Sequence, residues 1–148
     1  MKIKIKKLHN NAKIPTYAKP GDAGMDLTSI SKVFADGKNG FEKYIEYDTG
    51  LAMEIPNGYV GLLFPRSSVS KKDLCLANCV GVVDSGYRGP IKLRFKATNG
   101  NSKLAEIYDV GERVGQIIIM PVPFFHFEEV DELSDTNRGE GGFGSTGN

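Results

Sequence analysis

Residues 91–97 read Ile-Lys-Leu-Arg-Phe-Lys-Ala. Its apolar and charged side chains alternate, so an extended chain carries the apolar residues on one face and the cations on the other. This period of two is typical of a β-strand that buries one face. Residues 2–8, Lys-Ile-Lys-Ile-Lys-Lys-Leu, repeat the pattern, and the apolar runs 59–64 and 117–122 indicate strands buried on both faces.

Turn-forming residues interrupt these runs at short, regular intervals. They lie at 19–22, 36–37, 56–58, 99–100 and 110–112. About ten short strands separated in this way predict an all-β fold, a jelly-roll-like barrel or sandwich. One short helix is expected over residues 67–74, where Ser67 or Ser68 can cap the first turn.

The chain of 148 residues is predicted to form one β domain, residues 1–137, followed by a C-terminal arm, residues 138–148. Five of the eleven arm residues are glycine, and Phe143 is the single large apolar residue among them. Ordering glycine is costly in entropy, so we expect the arm to be flexible. Such an arm is either a frayed end or a segment that becomes ordered on a ligand.

Charge and hydropathy exclude several classes of partner. The 19 Lys and Arg residues nearly balance the 18 Asp and Glu residues, so the net charge of +1 creates no field for nucleic acid or an acidic membrane. No apolar run approaches the roughly 20 residues of a membrane span, and the lysine-rich start lacks the apolar region of a signal peptide. We therefore expect a cytoplasmic protein, with Cys75 and Cys79 as core thiols and His126 in a strand.

The arm contains groups that suit an anion. Residues 139–144 match G-x-G-x-x-G, but too few residues follow them for the helix of a dinucleotide site. Glycine N–H groups, the guanidinium of Arg138 and the hydroxyls of Ser145 and Thr146 can still bind phosphate. The ring of Phe143 offers a flat face to a base.

Two internal segments suit the same chemistry. Residues 65–68, Pro-Arg-Ser-Ser, precede the expected helix and form either an anion site or a simple helix cap. Residues 81–89, Gly-Val-Val-Asp-Ser-Gly-Tyr-Arg-Gly, read as a β-hairpin with Asp84 and Tyr87 around its tip. The Asp84 carboxylate either takes a proton from water or hydrogen-bonds its own turn.

Two further polar residues, Asp26 and Gln116, stand where the pattern predicts apolar ones. A carboxylate in such surroundings requires a cation, and exceptions of this kind are often functional. Both positions are therefore candidates for a binding site.

These segments occur together in one known family. In order and spacing, five blocks closely resemble those of the trimeric dUTPases, enzymes that split dUTP into dUMP and pyrophosphate. The blocks are AGMDLTS at 23–29, PRSS at 65–68, GVVDSGYRG at 81–89, RVGQIIIMPV at 113–122 and RGEGGFGSTG at 138–147. Five blocks in order across nearly the whole chain are much more specific than any single motif.

The resemblance implies a jelly roll that assembles as a homotrimer, with active sites between subunits and an arm that closes over a neighbour's site. Asp84 matches the carboxylate that activates water for attack at the α-phosphorus, and Tyr87 matches the ring under the deoxyribose. Asp26 matches an aspartate that acts through water on Mg²⁺, the expected cofactor. The remaining matches contact dUTP: Asn78, Gly81, Val82 and Val83 at uracil; Arg66, Ser67, Ser68, Gln116 and Lys92 at phosphate; Arg138, Phe143, Gly144, Ser145 and Thr146 from the arm.

Two alternatives remain on the same fold. A dCTP deaminase is similar in its turn, where Gly86 precedes the aromatic residue, but the complete arm resembles that of dUTPases. A non-catalytic module that senses nucleotides or binds proteins is expected to lack Asp84 or the arm, and both are present.

Overall fold

The computed structural model describes residues 1–36, 42–99 and 105–142 of the chain. These residues form ten β-strands and a short 3₁₀ helix, Ser67–Lys71, in agreement with the predicted all-β class. The strands are β1 Lys4–Lys7, β2 Met25–Thr28, β3 Ser31–Asp36, β4 Glu42–Asp48, β5 Leu51–Glu54, β6 Tyr59–Phe64, β7 Leu74–Leu76, β8 Gly81–Val83, β9 Lys92–Ala97 and β10 Arg113–Pro121.

The strands form two four-stranded antiparallel sheets and a two-stranded ribbon. One sheet has the order β2-β10-β6-β8, the other β3-β4-β9-β7, and the ribbon pairs β1 with β5. A single core cluster contains side chains from both sheets, so the two sheets pack face to face as a sandwich.

The alternation in residues 91–97 is confirmed. Leu93 and Phe95 are 1% and 0% exposed, while Arg94 and Lys96 lie on the outer face of β9. The Phe95 ring packs edge-on against two buried tyrosines, with centroids 5.8 Å from Tyr47 and 6.0 Å from Tyr108. These three rings centre the core on the sheet that contains β9.

The two apolar runs expected to be buried on both faces bury only one face within the chain. In β6 and β10 the inward positions belong to the core, whereas the outward residues are half-buried or exposed. The cross-strand register places outward apolar residues side by side. They are Val60 with Met120, and Leu62 with Ile118 and Val82. This outer face is therefore apolar without being covered by the described residues.

Two local expectations were wrong because tertiary pairing overrides local pattern. Residues 81–89 are not a hairpin, since β8 pairs with β6 in one sheet and β9 pairs with β4 and β7 in the other. Neither Ser67 nor Ser68 caps the helix: Arg66 occupies the N-cap and its side chain makes no capping hydrogen bond, and Lys72 is already extended.

The cysteines and His126 were also placed wrongly. Leu74 and Leu76 take the inward positions of β7, so Cys75 between them is exposed, and Cys79 is exposed in the following turn. Strand β10 ends at Pro121, so His126 lies beyond the last strand and is exposed.

The packed body ends with β10. The Val122 N–H donates to the Gly58 carbonyl, and residues 123–140 are exposed along their whole length, including Phe124, Phe125, Phe127 and Leu133. The predicted arm boundary at residue 138 falls inside this exposed segment. No helix among the described residues is long and apolar enough to cross a membrane.

Replacing Phe95 with alanine tests the placement of the core. The change leaves a cavity between Tyr47 and Tyr108, so we expect a loss of about 3–5 kcal/mol in unfolding free energy by urea titration at fixed protein concentration. The control is Phe34→Ala on β3, where the ring is 40% exposed, and its loss should be much smaller. Equal losses in both variants would place the core elsewhere.

Candidate active site

The predicted site residues that the structure describes separate into two groups and the start of the arm. One group, here the Asp26 group, lies where β2, β6 and β10 meet and comprises Asp26, Arg66, Ser67, Ser68 and Gln116. The other, here the pocket group, surrounds β8 and the turn after it and comprises Asn78, Gly81, Val82, Val83, Asp84, Tyr87 and Lys92.

The carboxylate of Asp26 organises the Asp26 group. Arg66 donates from Nε to Asp26 Oδ1 at 2.8 Å, and Arg113 donates from Nη1 to Asp26 Oδ2 at 2.8 Å. Asp26 is only 20% exposed, so the two arginines compensate a charge with little access to water. The expectation that Asp26 needs a cation or an arginine is confirmed for arginine.

Arg113 was missed as a functional residue. The sequence offers one signal, since Arg113 opens the fourth block, but its partner depends on strand register. Residue 113 pairs with Thr28 on β2, and a register shift follows it, so its long side chain reaches back to Asp26.

Gln116 occupies the central strand of the same sheet. It lies opposite Asp26 on β2 and Phe64 on β6, and its Nε2 donates to the Pro65 carbonyl at 3.1 Å. Arg66 Nη1 also donates to Ser68 Oγ at 3.3 Å. These bonds fix the 65–68 segment and concentrate N–H and O–H donors at one end of β6, an arrangement that suits phosphate oxygens.

The pocket group surrounds a cavity of about 540 Å³. Leu63, Leu76 and Leu93 contribute an apolar floor, and Asn78, the β8 backbone and Tyr87 contribute polar or aromatic walls. The cavity therefore has the size and mixed lining of a small-molecule site. Asp84 does not line it but sits on the turn between Val83 and Tyr87.

The turn that carries Asp84 is held by its own neighbours. The Tyr87 N–H donates to the Asp84 carbonyl at 3.1 Å, and Arg88 Nη1 donates to the carbonyls of Ser85 and Tyr87 at 2.6 and 2.8 Å. The Asp84 carboxylate is exposed beside this constrained backbone. The backbone that carries this carboxylate is thus held in place, and the carboxylate is accessible to a water molecule.

Lys92 is held by carboxylates of its own sheet. Its Nζ lies 2.7 Å from Glu46 Oε1 and 3.7 Å from Asp48 Oδ2, and Arg94 Nε lies 2.8 Å from Glu46 Oε2. Burial raises the pKa of Glu46, but hydrogen bonds from Lys92 and Arg94 outweigh it and leave that pKa below its usual value. The hydrogen bond to Glu46 raises the pKa of Lys92.

The two groups are far apart within one chain. Val83 pairs with Gly61 near the start of β6, so Asp84 continues toward that end, while Arg66 follows the other end. With a rise of about 3.3 Å per residue, the Arg66 and Asp84 backbones are separated by about 20 Å.

The arm is described only in part. Arg138 is exposed, and its Nε donates to the nearby Gly141 carbonyl at 2.9 Å, so it contacts neither group. The predicted residues Phe143, Gly144, Ser145 and Thr146 lie outside the described residues.

The donor set does not form a protein cage for a metal ion. No three Asp, Glu, His or Cys side chains in the described residues are grouped to bind one. Both oxygens of Asp26 already accept arginine bonds. Since Mg²⁺ keeps several waters and binds substrate phosphates with one or two carboxylates, these residues fit a cation that is carried by a phosphate ligand and reached through water.

Comparison with known proteins identifies the family to which the chain belongs. Residues 10–147 match the family model of dUTPase. The chain is 46% identical to the deoxyuridine 5'-triphosphate nucleotidohydrolase of Nautilia profundicola, over 99% of each. The chain belongs to the dUTPase family.

Solved structures agree with this assignment. The dUTPase of Staphylococcus bacteriophage 80alpha, solved with dUPNHPP, has a TM-score of 0.81 and 30% identity, with 99% of this chain and 98% of that chain covered. A mutant dUTPase from phage phi11 of S. aureus has a TM-score of 0.70 and 26% identity, with coverage of 89% and 98%. The latter structure describes the coordination of a structural Mg(II) ion.

A Glu46→Gln variant tests the ion pairs that hold Lys92. The lowered pKa of Glu46 means that its carboxylate stabilises the folded chain above pH about 4.3, and this contribution is lost as pH falls through the folded-state pKa. We expect the wild type to have a higher Tm than the variant at pH 6, and the difference to shrink toward pH 3. Glu129→Gln, an exposed control, should show no such pH dependence. A difference that is constant from pH 6 to pH 3 would contradict the assignment.

Proposed function

We propose that this chain hydrolyses dUTP to dUMP and pyrophosphate. The main support is the exposed Asp84 carboxylate, which stands on a hydrogen-bonded turn beside a cavity lined by Asn78, β8 and Tyr87. The solved relative that binds dUPNHPP supports a uracil nucleotide as the ligand. Each part of the nucleotide then meets a different part of the protein.

Uracil is recognised by Asn78 and the backbone of β8. Among the described residues β8 pairs only with β6, so it is the edge of its sheet and leaves backbone N–H and C=O groups unpaired on the cavity side. The uracil edge carries both acceptors and a donor, and the Asn78 amide supplies both kinds of group. The deoxyribose lies on the Tyr87 ring, which leaves no volume for a 2′-hydroxyl and no partner for it.

Asp84 orders the attacking water and accepts its proton. The water oxygen forms a bond to the α-phosphorus, and the bond from that phosphorus to the α–β bridging oxygen breaks, so pyrophosphate leaves with the electron pair. No protein nucleophile is needed. The constrained turn keeps the carboxylate in position for this proton transfer.

The phosphates of dUTP are bound by the Asp26 group of a neighbouring chain. Arg66, Ser67, Ser68 and Gln116 offer donors there, and Lys92 adds positive charge near the cavity while it is paired with Glu46. If Mg²⁺ binds with the triphosphate, Asp26 would hold it through water, and the cation would offset phosphate charge.

A homotrimer brings these parts together. The separation of about 20 Å between the backbones of Arg66 and Asp84 favours a site that takes the two groups from different chains. The uncovered outer face of β6, β8 and β10 is apolar, and Val82 on it is 62% exposed, which favours burial against a second copy. The exposed aromatic residues beyond β10 favour the same assembly.

The arm completes the site in the proposed closed state. Phe143 packs on uracil, while Arg138, Ser145 and Thr146 with the Gly144 backbone bind phosphates. An arm of eleven residues spans at most about 39 Å, which is enough to reach a neighbouring site. Closure of this kind excludes bulk water from the reacting phosphate.

Asp84→Asn tests the role of the carboxylate. The amide keeps the shape of the side chain but cannot accept the proton, so kcat for dUTP should fall by a factor of about 10²–10⁴ with little change in ligand affinity. Pyrophosphate release measures turnover, and binding of dUPNHPP measures affinity. Near-normal turnover would remove Asp84 from this role, and ammonia released from dCTP by the wild type would favour a deaminase.

Co-expression of two inactive variants tests the shared site. Asp84→Asn and Arg66→Gln each remove one half of every site in a homotrimer. If one site takes Asp84 and Arg66 from different chains, randomly mixed trimers should recover about a quarter of wild-type activity, because each half is intact with a probability of about one half. Sites built within one chain would recover none. The separately purified variants, mixed without unfolding, serve as the control.

A further inference from the structure

The tyrosine of the pocket group rests on a specific piece of backbone. The Tyr87 hydroxyl donates to the Pro90 carbonyl at 3.1 Å. A Cβ atom added at Gly89 would collide with the Tyr87 hydroxyl oxygen and would lie 2.5 Å from ring atom Cζ and 2.9 Å from Cε2. Atoms of real side chains do not approach a Cβ so closely, so the outer end of the ring occupies the space above the glycine.

We propose that Gly89 is a positioning residue that sets the selectivity for deoxyribose over ribose. Gly89 and the Pro90 carbonyl together form what we name the tyrosine seat. The seat holds the Tyr87 ring at a fixed height beneath the sugar, and a fixed ring is what excludes a 2′-hydroxyl. This inference rests on the proposed function, because it assumes that Tyr87 lies under the sugar.

Space requires glycine at this position. Gly89 is absent from the positive-φ residues, so a left-handed backbone is not the reason for glycine there. Gly86 in the same turn also lacks a positive φ, and a Cβ there meets nothing within 4 Å. The two glycines differ in the contact with Tyr87, which makes Gly86 a matched control.

An alanine at position 89 should free the ring. The methyl group meets the hydroxyl end of Tyr87, so the ring must move by about 1 Å to restore ordinary van der Waals contact. That movement breaks the bond to Pro90. Because the Tyr87 side chain is 43% exposed, the ring can swing into open space without repacking the core. A ring without its seat no longer forms a fixed wall against the sugar.

The test compares kcat/KM for dUTP and UTP. In Gly89→Ala the ratio of the two should fall about tenfold or more toward the value in Tyr87→Ala, since one misfitting group typically changes discrimination by about 10–200-fold. In Gly86→Ala the dUTP/UTP ratio of kcat/KM should stay within about twofold of the wild-type ratio. An unchanged ratio in Gly89→Ala, or an equal fall in Gly86→Ala, would overturn the proposal.

A double-mutant cycle separates the seat from a general structural effect. Once Tyr87 is alanine, adding Gly89→Ala should leave the dUTP/UTP ratio unchanged, because Gly89 acts through the ring. A further fall in the double variant would overturn the proposal. If Gly89→Ala alone does not fold but the double variant does, the contact with the ring is supported; if neither folds, it is overturned.

The outcomes also separate this inference from the proposed function. A wild type that does not hydrolyse dUTP, or a Tyr87→Ala variant with an unchanged dUTP/UTP ratio, removes the proposed function or the sugar role of Tyr87. Suppose that the wild type is selective and that its dUTP/UTP ratio changes in Tyr87→Ala but not in Gly89→Ala. This result would disprove the role of the tyrosine seat and leave the proposed function standing.

Discussion

The pairing register of β6 sets the positions of both halves of the candidate site. This strand pairs with β10 on one side and β8 on the other, and it leads directly into the 65–68 segment. Its pairing with β8 places the Asp84 turn at one end, while its chain direction places Arg66 at the other. Antiparallel hydrogen bonds fix this register, so the two halves of the candidate site are held apart by a rigid strand.

In the proposed chemistry a second chain supplies the other half of each site. Within one chain each half is already ordered: Asp26 with its two arginines at one end, and the Arg88-braced turn at the other. The arrangement supplies preorganised donors and a preorganised carboxylate, which is the form in which electrostatic groups contribute most to a transition state. A second chain would bring the donors and the carboxylate close to each other, whereas each of them is already ordered within its own chain.

Charge pairing distinguishes the roles of the polar residues. Lys92 forms an ion pair with Glu46, and Arg66 forms one with Asp26, so the charge of each cation is balanced within the chain. Each cation keeps further N–H donors that a ligand could use. Asp84, by contrast, stands exposed on a turn whose backbone is held by Arg88. Tyr87 belongs to the same constrained unit, because its hydroxyl is bonded to Pro90 and its ring lies over Gly89.

The strand-rich class, the inward face of β9 and the family could be predicted from the amino-acid sequence, because alternation and ordered motifs are properties of the local chain. The sequence also indicated that Asp26 needs a cation or an arginine. Pairing between distant strands is responsible for the rest: residues 81–89 cross between sheets, Arg113 reaches Asp26, Lys92 meets Glu46, and Cys75 faces outward. The physical reason is that a period of two specifies which side chains share a face, whereas the partner strand and its register are set by hydrogen bonds and core packing between residues distant in the chain.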